Sequence, residues 1–391
     1  MKNVAAIVTE YRRNSHADVI VGKILEGFNH SNRERPNMRV VSMYVDQFPN
    51  NDMARALSRR YNFPIYDSIE AAVCRGGNRL AVDGVLSIGE HGNYPFNDLG
   101  QHLYPRRRFF TGIANVFQRS GRSVPVFSDK HLAPTWEDAI WMYNRARQLH
   151  VPLMAGSSLP VTWRRPALEL EFNTPLEEAV QVGYGGVESY GFHAIEAMQC
   201  LVESRRGGES GVRSVQCLQG EAMWTAMDNG AWSRTLLEAA LDLVPAHANG
   251  DYRQVALRNR NSAVYLIEYR DGFKAAVAMM NGYVYERDGG AFCFAGRVTG
   301  REQPVRTQFY LQNERPFAHF AYLTRAIDFM MGSFHSPYPA ERTLLTTGIL
   351  DAVMRSKHNN HRRLQTPHLD IRYQPTGWPF ATGDVPPRLQ D

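Results

Sequence analysis

Cysteine is scarce in this 391-residue chain: Cys74, Cys200, Cys217 and Cys293 are its four, and no two form a Cys-x-x-Cys pair. That spacing argues against a disulfide framework or a thiolate zinc site and leaves buried, reduced thiols as the expectation. No apolar run approaches the roughly 20 residues of a membrane span. Met1-Lys2-Asn3 leads straight into a strand-like stretch, with no long apolar signal core ahead of it. A cytoplasmic protein with no membrane partner is the expectation. His-x-His, His-x-x-x-His and His-Glu-x-x-His spacings are all missing, so no short motif points to a metal. Gly-x-Ser-x-Gly is missing too, which argues against a serine hydrolase elbow.

What is present is ordinary for a globular protein: 43% hydrophobic and 21% charged residues, with a mean hydropathy of −0.39. The formal charge of +5 is mild, and no aromatic-interleaved basic stripe accompanies the one dense run, Arg106-Arg107-Arg108. That run reads as a solvated face, and no nucleic-acid partner is expected. The length exceeds what one core usually serves, so two domains are expected.

Up to residue 156, strand and helix patterns alternate. Val4–Thr9, Met38–Val45, Pro64–Tyr66, Leu80–Ile88, Val124–Ser128 and Val151–Ala155 read as strands. Ser15-x-x-Asp18 and Thr135-x-x-Asp138 have the form of helix caps. This alternation predicts an α/β fold, with an N-terminal Rossmann-like, doubly wound parallel sheet over residues 1–156. Residues 157–357 change character. Longer alternating stretches (Val212–Trp224, Ala263–Met280, Ala291–Val298, Val305–Leu311) predict an α+β domain on a largely antiparallel open sheet, with late helices at Phe317–Met331 and Ala340–Ser356. Residues 358–391, rich in Pro, Arg and His, read as a surface extension.

Ligands of such parallel sheets sit beyond the carboxyl ends of the strands. Reading those ends gives Glu10 after the first strand, Asp46 after the second, Glu90-His91 after the fourth and Asp129-Lys130-His131 after the fifth. An acidic residue ending the second strand is the usual partner of a ribose hydroxyl. The first turn, Glu10-Tyr11-Arg12-Arg13-Asn14-Ser15, has no glycine, although that is where a phosphate-binding loop keeps its glycines.

The stretch "FSDKHLAPTWEDAIWMYNRARQLHVPLMAGSSLPVTWRRPALELE" carries a lysine at a strand end, a capped helix, a strand running into Gly156, and then Arg-Arg-Pro. It resembles the glucose-fructose oxidoreductase / inositol dehydrogenase family (Gfo/Idh/MocA). "GYGGVESYGFHAIEAMQCL", "VVSMYVDQFPNNDMARALSRRYNFPIYDSIEAAV" and the closing "PYPAERTLLTTGILDAVMRS" are similar to further stretches of that family. The resemblance runs from about residue 4 to 356. It implies an NAD(P)-dependent oxidoreductase acting on a hydroxyl of a sugar-like or cyclitol small molecule, and a homo-oligomer formed through the C-terminal sheet.

By the same resemblance Lys130 and His193 are the acid–base pair, with Glu188 and Asp129 beside them, Glu188 next to the Ser189 that replaces the family's first aspartate. Glu10, Arg12, Arg13, Ser15, Asp46, Glu90 and His91 would surround NAD or NADP. Trp163, Arg164, Arg165 and His131 would line the substrate. Thr9, Tyr11 and Asn14 fall at the family's three glycines, so Tyr11 and Asn14 carry side chains where the phosphate would lie. Two alternatives stay open. One is a non-redox lyase, hydrolase or isomerase working through Glu90, His91, Asp129, Lys130 and His131, with or without a divalent metal. The other is a silent scaffold, whose expected mark is the loss of both Lys130 and His193; both are present.

Overall fold

In the computed structural model, residues 1–30, 34–285 and 289–389 are described. β1 (Lys2–Val8) leads to α1 (His16–Glu26), β2 (Met38–Val45) to α2 (Ala54–Tyr61), and β3 (Ile65–Tyr66) to α3 (Ile69–Cys74). β4 (Gly84–Ile88) is followed by α4 (Arg106–Ser120), β5 (Val126–Asp129) by α5 (Trp136–Gln148), and β6 (Leu153–Gly156) closes the sheet. All its pairings are parallel, in the order β3-β2-β1-β4-β5-β6. The strand order reverses beside β1, where sheets of this kind open a ligand crevice.

Local chemistry sets the helix starts. Ser15, Ser68 and Thr135 cap α1, α3 and α5, each side chain accepting a backbone N–H three residues on. Helix α4 has no counterpart among the elements expected from periodicity. Three arginines open it, the wrong sign for the positive end of a helix. Each is held instead by a tertiary partner: Arg106 by Glu90, Arg107 by Asp138 and Arg108 by Asp46. Arg107 and Arg108 are exposed, as expected of a solvated face, whereas Arg106 is buried as an anchor to Glu90.

The second sheet is built from β7 (Trp163–Arg165), β8 (Leu176–Gly183), β9 (Val212–Leu218), β10 (Ala263–Tyr269), β11 (Lys274–Met279), β12 (Gly289–Val298), β13 (Val305–Leu311) and β14 (Leu364–Gln365). Its order is β14-β9-β10-β11-β8-β12-β13-β7, and every pairing is antiparallel except β8 with β11. The tail thus supplies an edge strand. Helices α6 (Ser189–Val202), α7 (Glu221–Asp228), α8 (Arg234–Leu241), α9 (Tyr252–Leu257), α10 (Ala318–Ser333) and α11 (Ala340–His358) surround it. Val212–Trp224, expected as one alternating stretch, divides into β9 and α7, with Trp224 on the helix.

Along β8, a Cβ on Gly183 would meet Ala194 of α6, whereas Glu178, on the opposite face, reaches the backbone of Ser233, the cap of α8. Helix α8 therefore covers the outer face of β8, β12 and β13. Helix α10 crosses back in space. Its Leu323, Ile327, Met330 and Met331 share a core with β1 and α1. The two sheets are joined through α11, where the Thr343 hydroxyl donates to the Ala155 carbonyl and Thr347 Oγ1 accepts from Leu132 N.

The same junction holds Glu196 of α6. It is buried, and both its oxygens accept from the Ser157 backbone while Oε2 also takes the Ser157 hydroxyl. A Cβ on the preceding Gly156 would lie 2.2 Å from Glu196 Oε1, and Gly156 has φ of +123°, so only glycine fits there. Burial pushes the Glu196 carboxyl up from 4.5 to about 7, against the Ser157 hydrogen bonds. A raised carboxyl contributes stability that is fully present below pH 4.5 and lost as pH rises through about 7. Glu196→Gln should therefore gain on the order of 3 kcal/mol relative to the parent chain across that window. Urea unfolding at a series of pH values reads the difference; parallel profiles for the two chains would refute it.

Candidate active site

The carboxyl ends of β1, β4 and β5 meet the start of α6 around one buried carboxylate. Glu90 lies 2.6 Å from the Arg106 guanidinium through Oε2 and 3.3 Å from the Lys130 ammonium through Oε1. All three side chains are nearly removed from water. Arg106 also donates to the Lys130 carbonyl at 2.6 Å, so one side chain clamps the ends of β4 and β5 together. Burial alone would raise the Glu90 carboxyl; the charges of Lys130 and then Arg106 outweigh it and hold the group well below the usual carboxylate range. Lys130 Nζ is also 3.4 Å from the Ser189 carbonyl, one helical turn ahead of His193. Burial, and next the Lys130 charge, hold the His193 imidazole well below its ordinary value, so it is neutral at neutral pH.

His131 follows Lys130 inward. It is fully buried against Phe192, with Nε2 3.5 Å from Glu188 Oε1. Burial and the neighbouring Arg106 and Lys130 hold His131 neutral, and burial raises Glu188. His91 has a left-handed backbone, φ +69°, just before Gly92. Burial, then repulsion from His16, brings its imidazole down to about 3. Asp129 places Oδ2 2.6 Å from Nδ1 of His16, the first residue of α1.

The turn after β1 answers the question its missing glycines raise. Tyr11 does not project toward a phosphate. It turns inward and is fully buried in the core beside Gly22 of α1. Asn14 takes a left-handed backbone, φ +61°, which asparagine tolerates better than most residues. The amides that would cradle a pyrophosphate already have partners. Asn14 N donates to Asp18 Oδ2 at 2.9 Å, Ser15 N to the Arg12 carbonyl, His16 N to His91 Nδ1 at 3.4 Å, and Asp18 N to Ser15 Oγ. Glu10 is paired with Arg12 at 2.5 Å, and Arg13 is exposed.

Asp46, expected to hold a ribose, is also engaged. Oδ1 accepts from the Tyr44 hydroxyl at 2.5 Å, and Oδ2 from Tyr94 and Arg108, both at 2.6 Å. Tyr94 belongs to the loop 89–105, between β4 and α4. The loop is fastened to the first lobe by Gln47–Asn93 hydrogen bonds and to α11 by Gln101 donating to Asp351. Phe96, His102 and Tyr104 stack along it, with centroids 4.2 and 4.0 Å apart.

Of the expected residues, Glu90, His91, Asp129, Lys130, His131, Glu188 and His193 come together. Trp163, Arg164 and Arg165 make their contacts elsewhere. Trp163 donates to the Gly383 carbonyl, Arg164 lies over Phe380 and Arg165 over Tyr310, so this strand secures the tail and the sheet edge. Three crevice residues escape the sequence reading. His16 stands directly after the cap Ser15, where a search for polar residues beyond strand ends would have found it. Arg106 is hidden in a charge run. His319 opens α10, and no local signal announces that α10 returns to the first lobe. Among the described residues, no group of three or more His, Cys, Asp or Glu is arranged to hold a metal ion.

No family model matches the chain, and no curated protein matches it. Solved structures do. Apo scyllo-inositol dehydrogenase from Lactobacillus casei superposes with a TM-score of 0.58 at 11% identity, covering 93% of this chain and 98% of that one. GenD2 from gentamicin A biosynthesis in complex with NAD gives 0.57 at 12%, covering 93% and 96%. An oxidoreductase from Agrobacterium radiobacter in complex with NAD+, L-tartaric acid and magnesium gives 0.57 at 11%, covering 93% and 98%. Over nearly its whole length, this chain has the two-lobed fold of these dehydrogenases.

Proposed function

We propose that this chain is an enzyme acting on a hydroxyl of a sugar-like or cyclitol small molecule, with Lys130 and His193 as its acid–base pair. The observation that carries this reading is the Lys130 ammonium, fixed between Glu90 and the Ser189 carbonyl one turn before a neutral imidazole. A substrate oxygen between them receives a hydrogen bond from Lys130, while the unprotonated His193 is able to accept a proton at neutral pH. Glu90 and Arg106 keep the lysine from collapsing onto its neighbours. Glu188 and His131 supply further donors and acceptors for the substrate's other hydroxyls. The named inositol dehydrogenase of the same fold supports the substrate class.

In an oxidoreductase, NAD or NADP would supply the hydride acceptor. The residues present do not fit that group as they stand: its pyrophosphate would need the amides that Asp18 and His91 occupy, and its ribose the carboxylate that Tyr44, Tyr94 and Arg108 saturate. The proton transfers above do not require it. The filled cradle favours the non-redox branch, a lyase or isomerase; the NAD-bound structures of the same fold favour an NAD(P)-dependent oxidoreductase.

Titrating the protein with NADH and NADPH while following tryptophan fluorescence decides between them. No saturable quench is expected with either, and micromolar saturation would establish the oxidoreductase branch. Across a panel of sugars and cyclitols, Lys130→Ala should lower turnover by at least about 10²-fold with far-ultraviolet circular dichroism unchanged. Retained turnover in that variant would remove Lys130 from the chemistry.

A further inference from the structure

In a dinucleotide-binding sheet the space over the first helix's N-terminus belongs to phosphate. Here an imidazole stands in it. His16 Nδ1 lies 2.6 Å from Asp129 Oδ2, and a carboxylate at that distance keeps a proton on Nδ1, leaving Nε2 as the acceptor. Asp129 is 1% exposed and its Oδ1 has no partner among the described residues, so its charge is directed at this one ring. The ring is held edge-on against His91, centroids 5.2 Å apart, and Phe320, 5.5 Å apart. The His16 side chain keeps 14% of its surface open, and Nε2 has no hydrogen bond among the described residues.

We propose that His16, oriented by Asp129, is a second general base of the crevice, standing across from the Lys130–His193 pair in the seat a dinucleotide would need. This rests on the acid–base reading of the same site. In the step it performs, a substrate O–H bond breaks and the proton forms an N–H bond on Nε2. The electron pair stays on that oxygen, which belongs to a second hydroxyl distinct from the one held between Lys130 and His193. Asp129 remains ionised and stabilises the imidazolium, and solvent removes the proton after product leaves. The charged and titratable groups that reach His16 come from four sides: Asp129 from β5, Glu90 and His91 from the turn after β4, His193 from α6 and His319 from α10.

Diethyl pyrocarbonate, mapped by mass spectrometry on the full chain, tests this without a known substrate. His16 should react at Nε2 faster than the exposed His150 and His335. Asp129→Asn should slow it severalfold, because the ring loses the partner that fixes its orientation and keeps the Nδ1–H tautomer with Nε2 free to react, while His335 is unchanged. Long-range proton–nitrogen NMR on the parent chain gives a second measurement that needs no variant, and the Nδ1–H tautomer is the expected one. A His16 no faster than His335, or an Nε2–H tautomer, would overturn the dyad alone. Protection of His16 by added NADH would return the seat to a dinucleotide and overturn both this proposal and the cofactor-free reading beneath it.

Discussion

A carboxylate out of reach of water must be matched by cations, and Glu90 is matched twice. Arg106 and Lys130 come from different elements, so satisfying that one charge fixes where α4 begins, how the ends of β4 and β5 sit, and which way the lysine points. Removing either cation would leave buried charge uncompensated, which is far costlier than the pair is stabilising. The neutral histidines follow from the same arrangement. A ring shut away from water beside a fixed cation gives up its proton: after burial itself, Arg106 and Lys130 act on His131 and Lys130 on His193, so both stay uncharged.

A helix start has a comparable requirement, because its first N–H groups need acceptors. Glycine-rich loops leave those groups for a ligand. This chain uses bulkier residues and supplies the acceptors itself, from Asp18, Arg12, Ser15 and His91. The outcome is a Rossmann-like sheet whose first helix start is satisfied internally, while the crevice around Glu90, Lys130 and His193 stays polar and incompletely bonded. Buried nitrogens and oxygens of Arg106, His131, Glu188 and His193 lack partners among the described residues, and such atoms call for water or a ligand.

Much of this architecture could be read from periodicity and caps. Ser15 and Thr135 mark two helix starts to the residue, and the strand at Val305–Leu311 matches its expected bounds. Reading the strand ends in order assembled most of the crevice, because side chains at the carboxyl edge of a parallel sheet must converge wherever the chain crosses over. What escaped depended on distant partners. Helix α4 begins against its own local electrostatics and is held by Glu90, Asp46 and Asp138. Helix α10 returns across the molecule to bring His319 beside His16. Trp163-Arg164-Arg165 had a plausible local address, but the tail that claims them is more than 200 residues away in sequence.

The position of α8 has its own consequence. With α6 on one face of β8 and α8 on the other, the central strands of the second sheet have no solvent side. Val180, Val182, Ala295 and Phe294 are all fully enclosed, and so is the polar Gln181 of β8, so a polar side chain placed there must find its partner inside the protein rather than in water. Evolutionary latitude in this lobe is therefore confined to its rim and connections, and the middle of the sheet is the part of the chain least free to change.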